Sequence, residues 1–184
     1  ILNTVDVIMT REHITNSILK KLGISRPTII QSIDAAFDFT SPLKKNMERF
    51  LRQKGITQSQ TRVGITVKNC YRDNRQHGYE ESMAKFCEYL VQTYNAQVIF
   101  VPQCTSKLHN DDDRVVALRI VQQMQDKSNV FLLGDDLNHF QIKSIFENMD
   151  FVIATRMHSA IFALTGNIPT LAIAYEHKTL GIMK

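Results

Sequence analysis

The sequence predicts an α/β protein, a doubly wound, mostly parallel sheet with helices on both faces. Three observations lead there. Short β-branched apolar runs alternate with longer stretches of helical period, in the order βαβαβαβαβαβαβ. Strands that alternate with helices are joined by right-handed crossovers, which set successive strands parallel. The 184 residues, 43% of them hydrophobic, suffice for one packed core without a disulfide or metal staple.

The elements follow in order. A strand over residues 5–9 leads to a helix over 13–22 that stops at Gly23, and a strand over 28–30 comes next. Residues 32–41, a mixture of acidic, small and turn residues, interrupt the rhythm and read as a domain junction. Residues 1–40 are therefore expected to be the end of a preceding Rossmann-like domain, and 41–184 a C-terminal Rossmann-like domain. Ser41 followed by Pro42 suits an N-cap with proline at the first helical position, opening a helix over 43–54. A strand over 63–67, a helix over 79–94 and a strand over 97–101 follow. Asp111, Asp112 and Asp113 put negative charge at the start of a helix over 112–125. Three consecutive positions do not share a helix face, so capping is expected of them rather than metal binding. The rest reads as a strand over 130–133, a helix over 140–149, a strand over 151–154, a helix over 157–165 stopping at Gly166, and a strand over 170–174. The chain starts without Met and ends after an apolar run and a glycine, so it is expected to be a piece of a longer protein whose second domain lacks its last helix.

Composition narrows the function. The 22 basic and 18 acidic residues give +4, with the basic residues scattered along the chain, and no nucleic-acid partner is expected. Cys70, Cys87 and Cys104 show no CxxC spacing, which excludes a cysteine-rich zinc site and a disulfide framework and fits a reducing, cytoplasmic setting. No apolar stretch approaches a membrane span, and no transmembrane segment is expected. GxxxxGK[ST], HExxH and GxSxG are absent, and no GxGxxG follows a strand.

Ligands of open parallel sheets bind at the carboxyl ends of the strands. The most informative such end is ATRMHSAIFAL, where Arg156 and His158 stand between a strand and an apolar helix whose first N–H groups and dipole suit an anion. A guanidinium there clamps a carboxylate or phosphate, and an imidazole moves a proton near neutral pH. The competing reading pairs Arg156 with a carboxylate such as Asp150. Lys178, past the next strand, offers another cation, as do Arg11 and Lys68 at earlier strand ends. DVIMTREH and DFVIATRMH also resemble each other, as two similar halves would.

The run DFVIATRMHSAIFALTGNIPTLAIAYEHKTLGIMK resembles the C-terminal signature of the polysaccharide pyruvyl transferase family, and TREHITNSILKKLGI, VGITVK and FVPQ with DDDRVVA agree in order. The resemblance implies one half of a fold similar to GT-B glycosyltransferases. It also implies transfer of the pyruvyl group of phosphoenolpyruvate, the donor substrate and not a cofactor, onto a sugar of an exopolysaccharide or cell-wall polysaccharide as a cyclic ketal. No cofactor or metal is implied. By the same resemblance Arg11, Arg156 and Lys178 hold the donor's anionic groups, Lys68 stands where the family more often has arginine, and His158 is catalytic. The acceptor would be a sugar or a lipid-linked oligosaccharide, at a cytoplasmic location or peripherally at the inner face of the membrane. Two alternatives stay open: a GT-B-like glycosyltransferase using a nucleotide sugar, and a non-catalytic sugar- or anion-binding module.

Overall fold

The computed structural model describes residues 1–106 and 111–183. The chain divides into two compact units, Ile1–Phe39 with Ala174–Lys184, and Thr40–Ile173. In chain order, the first unit holds β1 (Val7–Thr10), α1 (His13–Lys21) and β2 (Thr28–Gln31). The second holds α2 (Lys44–Gln53), β3 (Arg62–Thr66), α3 (Arg75–Tyr94), β4 (Gln97–Phe100), β5 (Thr105–Ser106), β6 (Asp111–Asp112) and α4 (Asp113–Gln123). It continues through β7 (Val130–Leu132), α5 (His139–Phe146), β8 (Phe151–Ala154), α6 (Met157–Thr165) and β9 (Thr170–Ala172). The chain then returns to the first unit with α7 (His177–Ile182).

In the first unit β1 and β2 are parallel, with Met9 opposite Ile30. Glu12 starts α1 from extended backbone, its carboxylate accepting the N–H groups of Ile14 and Thr15. The end of the chain, read from sequence as lacking a helix, carries the short helix α7. Gly181 can sit within it because a Cβ there would lie 2.6 Å from Oε2 of the buried Glu12, a separation only glycine avoids.

The second unit is built on a five-stranded sheet in the order β7-β4-β3-β8-β9, parallel throughout. Helices cover both faces. On one, Met83, Ala84, Cys87 and Val91 of α3 and Val116, Ala117 and Ile120 of α4 pack on Val63, Ile65, Val98 and Phe100. On the other, Met47 and Leu51 of α2, Ile142, Ile145 and Phe146 of α5 and Ala160 and Ala163 of α6 pack on Ile99, Val152 and Ala154. Strands buried on both faces read as unbroken apolar runs, which is how they stood out in the sequence. Local signals set the ends: Asn138 and Gln141 form a capping box on α5, and α3 stops where Asn95 turns left-handed at φ 50°. Two features were not foreseen. Helix α3 starts a turn earlier than residue 79, where the Asp73 carboxylate accepts the N–H of Arg75, and the short strands β5 and β6 pair antiparallel, Thr105 with Asp112 and Ser106 with Asp111.

The winding of this sheet locates the site. From β3 the chain moves outward through β4 to β7, crosses back to β8 on the other side of β3, and moves outward again to β9. The strand order therefore reverses between β3 and β8. A crevice opens at the carboxyl ends of such a pair because the two following connections leave over opposite faces.

Candidate functional site

The residues at that crevice are held by short-range backbone contacts. Thr66, the last residue of β3, accepts the N–H of Thr155 on its carbonyl at 3.2 Å and the N–H of Arg156 on its hydroxyl at 3.3 Å. The Tyr79 hydroxyl on α3 lies 2.8 Å from Thr155 Oγ1, and its burial pushes the phenol well above its ordinary range. Arg156 thus leaves β8 in fixed backbone as the N-cap of α6.

Its guanidinium is already engaged. Arg156 Nε donates to both Asp113 oxygens, at 3.1 and 3.2 Å, and Nη2 donates to Asp113 at 2.5 Å and to Asp111 at 2.7 Å. These contacts leave Nη1 outside the fork. The Asp113 side chain is 2% exposed and its Oδ2 also accepts the N–H groups of Gln103 and Cys104, both at 3.0 Å. Asp111 is held below the usual carboxylate range by the Arg156 hydrogen bond, helped by the charges of Arg156 and Lys68. Although burial disfavours the cation, the two aspartates raise the Arg156 pKa and keep it charged.

The carboxylate partner considered from sequence, Asp150, is elsewhere. It stands before β8, and its Oδ2 accepts the N–H of Arg62 at 2.8 Å. A whole strand separates it from Arg156. Of the three consecutive aspartates, only Asp112 caps α4, accepting the N–H of Arg114 at 3.0 Å; the other two grip Arg156.

Beside this pair lies an open cleft of about 630 Å³ bounded by Lys68, Asn69, Tyr71, Arg72, Asp111 and Arg119, among others. The loop after β3 that forms its floor is braced by one side chain. Gln76 Oε1 accepts the N–H groups of Cys70 at 2.9 Å and Tyr71 at 3.1 Å, while Nε2 donates to the Lys68 carbonyl at 3.3 Å and to Glu80 at 2.7 Å. Glu80, 4% exposed, accepts from Arg119 at 2.9 and 2.5 Å, and Arg119 also donates to Asn69 Oδ1 at 2.9 Å. Burial raises the Glu80 pKa, but the Arg119 and Gln76 hydrogen bonds outweigh it and keep the carboxylate ionised. Three cations, Lys68, Arg72 and Arg119, therefore face a cleft at the reversal point of the sheet.

Of the residues singled out from sequence, Lys68 lines this cleft and Arg156 meets it through Asp111; His158 is exposed in the first turn of α6. Arg11 and Lys178 belong to the first unit. There Arg11 Nη1 pairs with Asp34 at 2.8 Å and Lys178 with Glu176 at 2.7 Å. The two similar segments share a device, since each places an arginine after a strand and pairs it with aspartate. Sequence reading missed Arg72, Gln76, Glu80 and Arg119. Glu80 carried a signal: it lies in helical register with the buried Met83, Ala84, Cys87 and Val91, and a carboxylate on an apolar stripe requires a cation.

Fold and site together define a doubly wound α/β protein with a charged cleft, lined by three cations and the carboxylates of Asp73 and Asp111, at its topological switch point. The family model of the polysaccharide pyruvyl transferases matches residues 1–177, and the chain belongs to that family. Over 192 aligned residues it is 28% identical to the amylovoran biosynthesis protein AmsJ of Erwinia amylovora, an alignment covering 100% of this chain and 46% of AmsJ. The chain thus spans less than half the length of that curated relative. The crystal structure of a glycosyltransferase from Rickettsia africae ESF-5 shares the fold with a TM-score of 0.58 at 11% identity, over 91% of this chain and 44% of that one. Among the described residues no helix is long and apolar enough to cross a membrane.

Proposed function

We propose that the cleft binds phosphoenolpyruvate and that the protein containing it transfers the pyruvyl group to a polysaccharide or its sugar precursor as a cyclic ketal. The observation that carries this reading is the convergence of Lys68, Arg72 and Arg119 at the carboxyl end of β3, in a chain of this family. Phosphoenolpyruvate bears a phosphate and a carboxylate, so it needs several cations within a few ångströms, and a half-open cleft at a switch point supplies them without burying charge.

In this reading the cleft cations and Arg156 Nη1 hold the two anionic groups. A proton added to the methylene carbon makes the neighbouring carbon electrophilic, and one sugar hydroxyl bonds to it. The C–O bond to phosphate then breaks, phosphate leaves with its electron pair, and a second hydroxyl of the same sugar closes the ketal while the two hydroxyl protons pass to bases. Fixed cations stabilise the charge growing on the departing phosphate. His158, exposed beside Arg156, is assigned to proton transfer. Arg11 and Lys178 remain assigned to anion binding by resemblance alone, and Arg11→Ala and Lys178→Ala test each.

The test is turnover and donor binding measured together on His158→Ala in the full chain. Loss of about 100-fold or more in kcat with phosphoenolpyruvate binding kept within threefold is expected of a proton-transfer group. Unchanged turnover removes His158 from the mechanism.

A further inference from the structure

The excess of basic over acidic residues is concentrated in α2 and Lys54, the residue that ends it. Residues 44–54 contain five of the 22 basic residues and one of the 18 acidic ones, so this segment carries +4 and all other positions together hold 17 of each sign. These cations are already neighbours in the sequence, and the helix sets them on its surface. Met47 and Leu51 of α2 are buried, while Lys45, Arg49 and Arg52 are exposed on the opposite side and Lys44 is exposed as the first residue of the helix. Lys45, Arg49 and Arg52 are spaced i, i+4 and i+7 and so form one stripe about 10 Å long.

The single acid of the helix pairs with one member of the stripe, Arg52, and leaves Lys45 and Arg49 without an ion pair among the described residues. Glu48 is turned toward the buried Arg62, at 2.6 Å, as well as accepting from Arg52 at 2.8 Å. Lys54 is drawn aside to Asp135 at 2.8 Å. Lys44, Lys45 and Arg49 make no ion pair among the described residues. With Glu48, Arg52, Gln58 and Asn148 they border an open hollow of about 470 Å³, four cations against one carboxylate.

This surface is not part of the cleft. Glu48 grips Arg62, the first residue of β3, and Asn148 Nδ2, just ahead of β8, donates to the Lys44 carbonyl at 2.9 Å. The stripe therefore lies at the amino ends of β3 and β8, whereas Lys68 and Arg156 lie past their carboxyl ends. Its cations are exposed and aligned along one helix, which matches a plane of negative charge better than a single enclosed anion. Stacking aromatics, which a single-stranded nucleic acid would use, are lacking among them: Phe50 lies under Lys54, 5.2 Å from its ammonium.

We propose that α2 is a docking surface for the anionic phospholipid headgroups of a membrane leaflet. Because the apolar side of α2 is spent in the core, docking is electrostatic adsorption without insertion, and it is independent of the donor reading above. The test is flotation of the full chain with phosphatidylcholine vesicles containing about one third phosphatidylglycerol, against pure phosphatidylcholine. Binding is expected to the anionic vesicles alone and to vanish at about 0.5 M salt. Each cation near such a surface contributes about fivefold, so Lys44→Gln/Lys45→Gln/Arg49→Gln weakens partitioning about 100-fold. Lys20→Gln/Lys21→Gln/Lys127→Gln, with the same loss of net charge elsewhere on the surface, weakens it less than tenfold. Lys44→Arg/Lys45→Arg retains it, which separates loss of charge from loss of fold. Equal losses in the two glutamine variants, no preference for anionic vesicles, or tighter binding to a DNA oligonucleotide than to the vesicles overturns the proposal.

Discussion

Asp111→Asn should tighten phosphoenolpyruvate binding, an unusual direction for a change in a binding cleft. Asp111 lines the cleft, its carboxylate is ionised and 38% exposed, and it faces the space where the donor's negative groups would sit. A cleft of 630 Å³ has the volume of a sphere about 5 Å in radius, so an anion at its centre is about that far from the lining charges. At an effective dielectric constant of about 40 to 80, two unit charges at that distance repel by about 0.8 to 1.7 kcal/mol. For a donor with two negative charges, salt screening leaves a gain of about 1 to 2 kcal/mol, or roughly five- to thirtyfold in Kd. The substitution also frees Arg156 Nη2 from one partner. Asp113, 2% exposed and bound to Arg156 through both of its oxygens, keeps the guanidinium in place. Asp111 is the more exposed partner of the lost pair, at 38% against 16% for Arg156, and Arg156 keeps Asp113, so stability should fall by about 1 kcal/mol. Calorimetric titration at about 0.05 and 0.15 M salt measures both Kd and its ionic-strength dependence. A Kd that is unchanged or weaker in the variant, with an unaltered melting curve, would refute the placement of the donor beside Asp111.

Three further outcomes follow from the packing. Glu48 and Glu80 both have folded-state pKa values depressed below the ordinary 4.5, so their stabilisation is complete above that value and is lost as pH falls through the depressed ones; thermal melts should hold level near neutrality and drop below about pH 4.5. In Glu80→Gln that acid-limb drop should be smaller, and an identical limb would show that Glu80 does not titrate with folding. Gly181→Ala would place a Cβ 2.6 Å from Glu12 Oε2 and 3.1 Å from its Cβ, so the first unit should lose about 1 to 3 kcal/mol; an unchanged melt would show that α7 can move away freely. Arg62→Met removes the partner of Glu48 and three carbonyl contacts at the base of β3, and should cost about 3 to 5 kcal/mol in chemical denaturation, with recovery when Glu48 is also changed to Gln.

The sheet and its helices were legible because they rest on local periodicity. Strand β8 and helix α6 fall where the sequence reading put them, as an apolar run ended by Thr155 and an apolar helix stopped at Gly166. Long-range pairing was much less legible. Asp111 and Asp113 lie more than 40 residues from Arg156 and looked like helix caps, whereas in the fold their side chains reach Arg156 from β6 and the start of α4. Arg119 meets Glu80 across two helices, 39 positions apart, and no motif marks the pair. The division of the chain was also only half visible. The composition break before Ser41 lies close to the boundary after Phe39, but nothing local in AYEHKTLGIMK signals that it packs with residues 1–39 and not with the sheet it has just left. No helix was read around the glycine near the chain's end, and within α7 its closeness to Glu12 explains why that position is glycine.

Arg156→Ala is a poor probe of the central claim, because it would strand Asp113 as a buried, unpaired carboxylate. The direct measurement is calorimetric titration of the full chain with phosphoenolpyruvate and, separately, with UDP-glucose, in the parent and in Lys68→Ala/Arg72→Ala. Both changed residues lie at the cleft, and neither is buried. Selective binding of phosphoenolpyruvate that weakens by at least tenfold in the double variant is the predicted result. Binding of UDP-glucose instead, or phosphoenolpyruvate binding that the double variant leaves intact, would contradict the account.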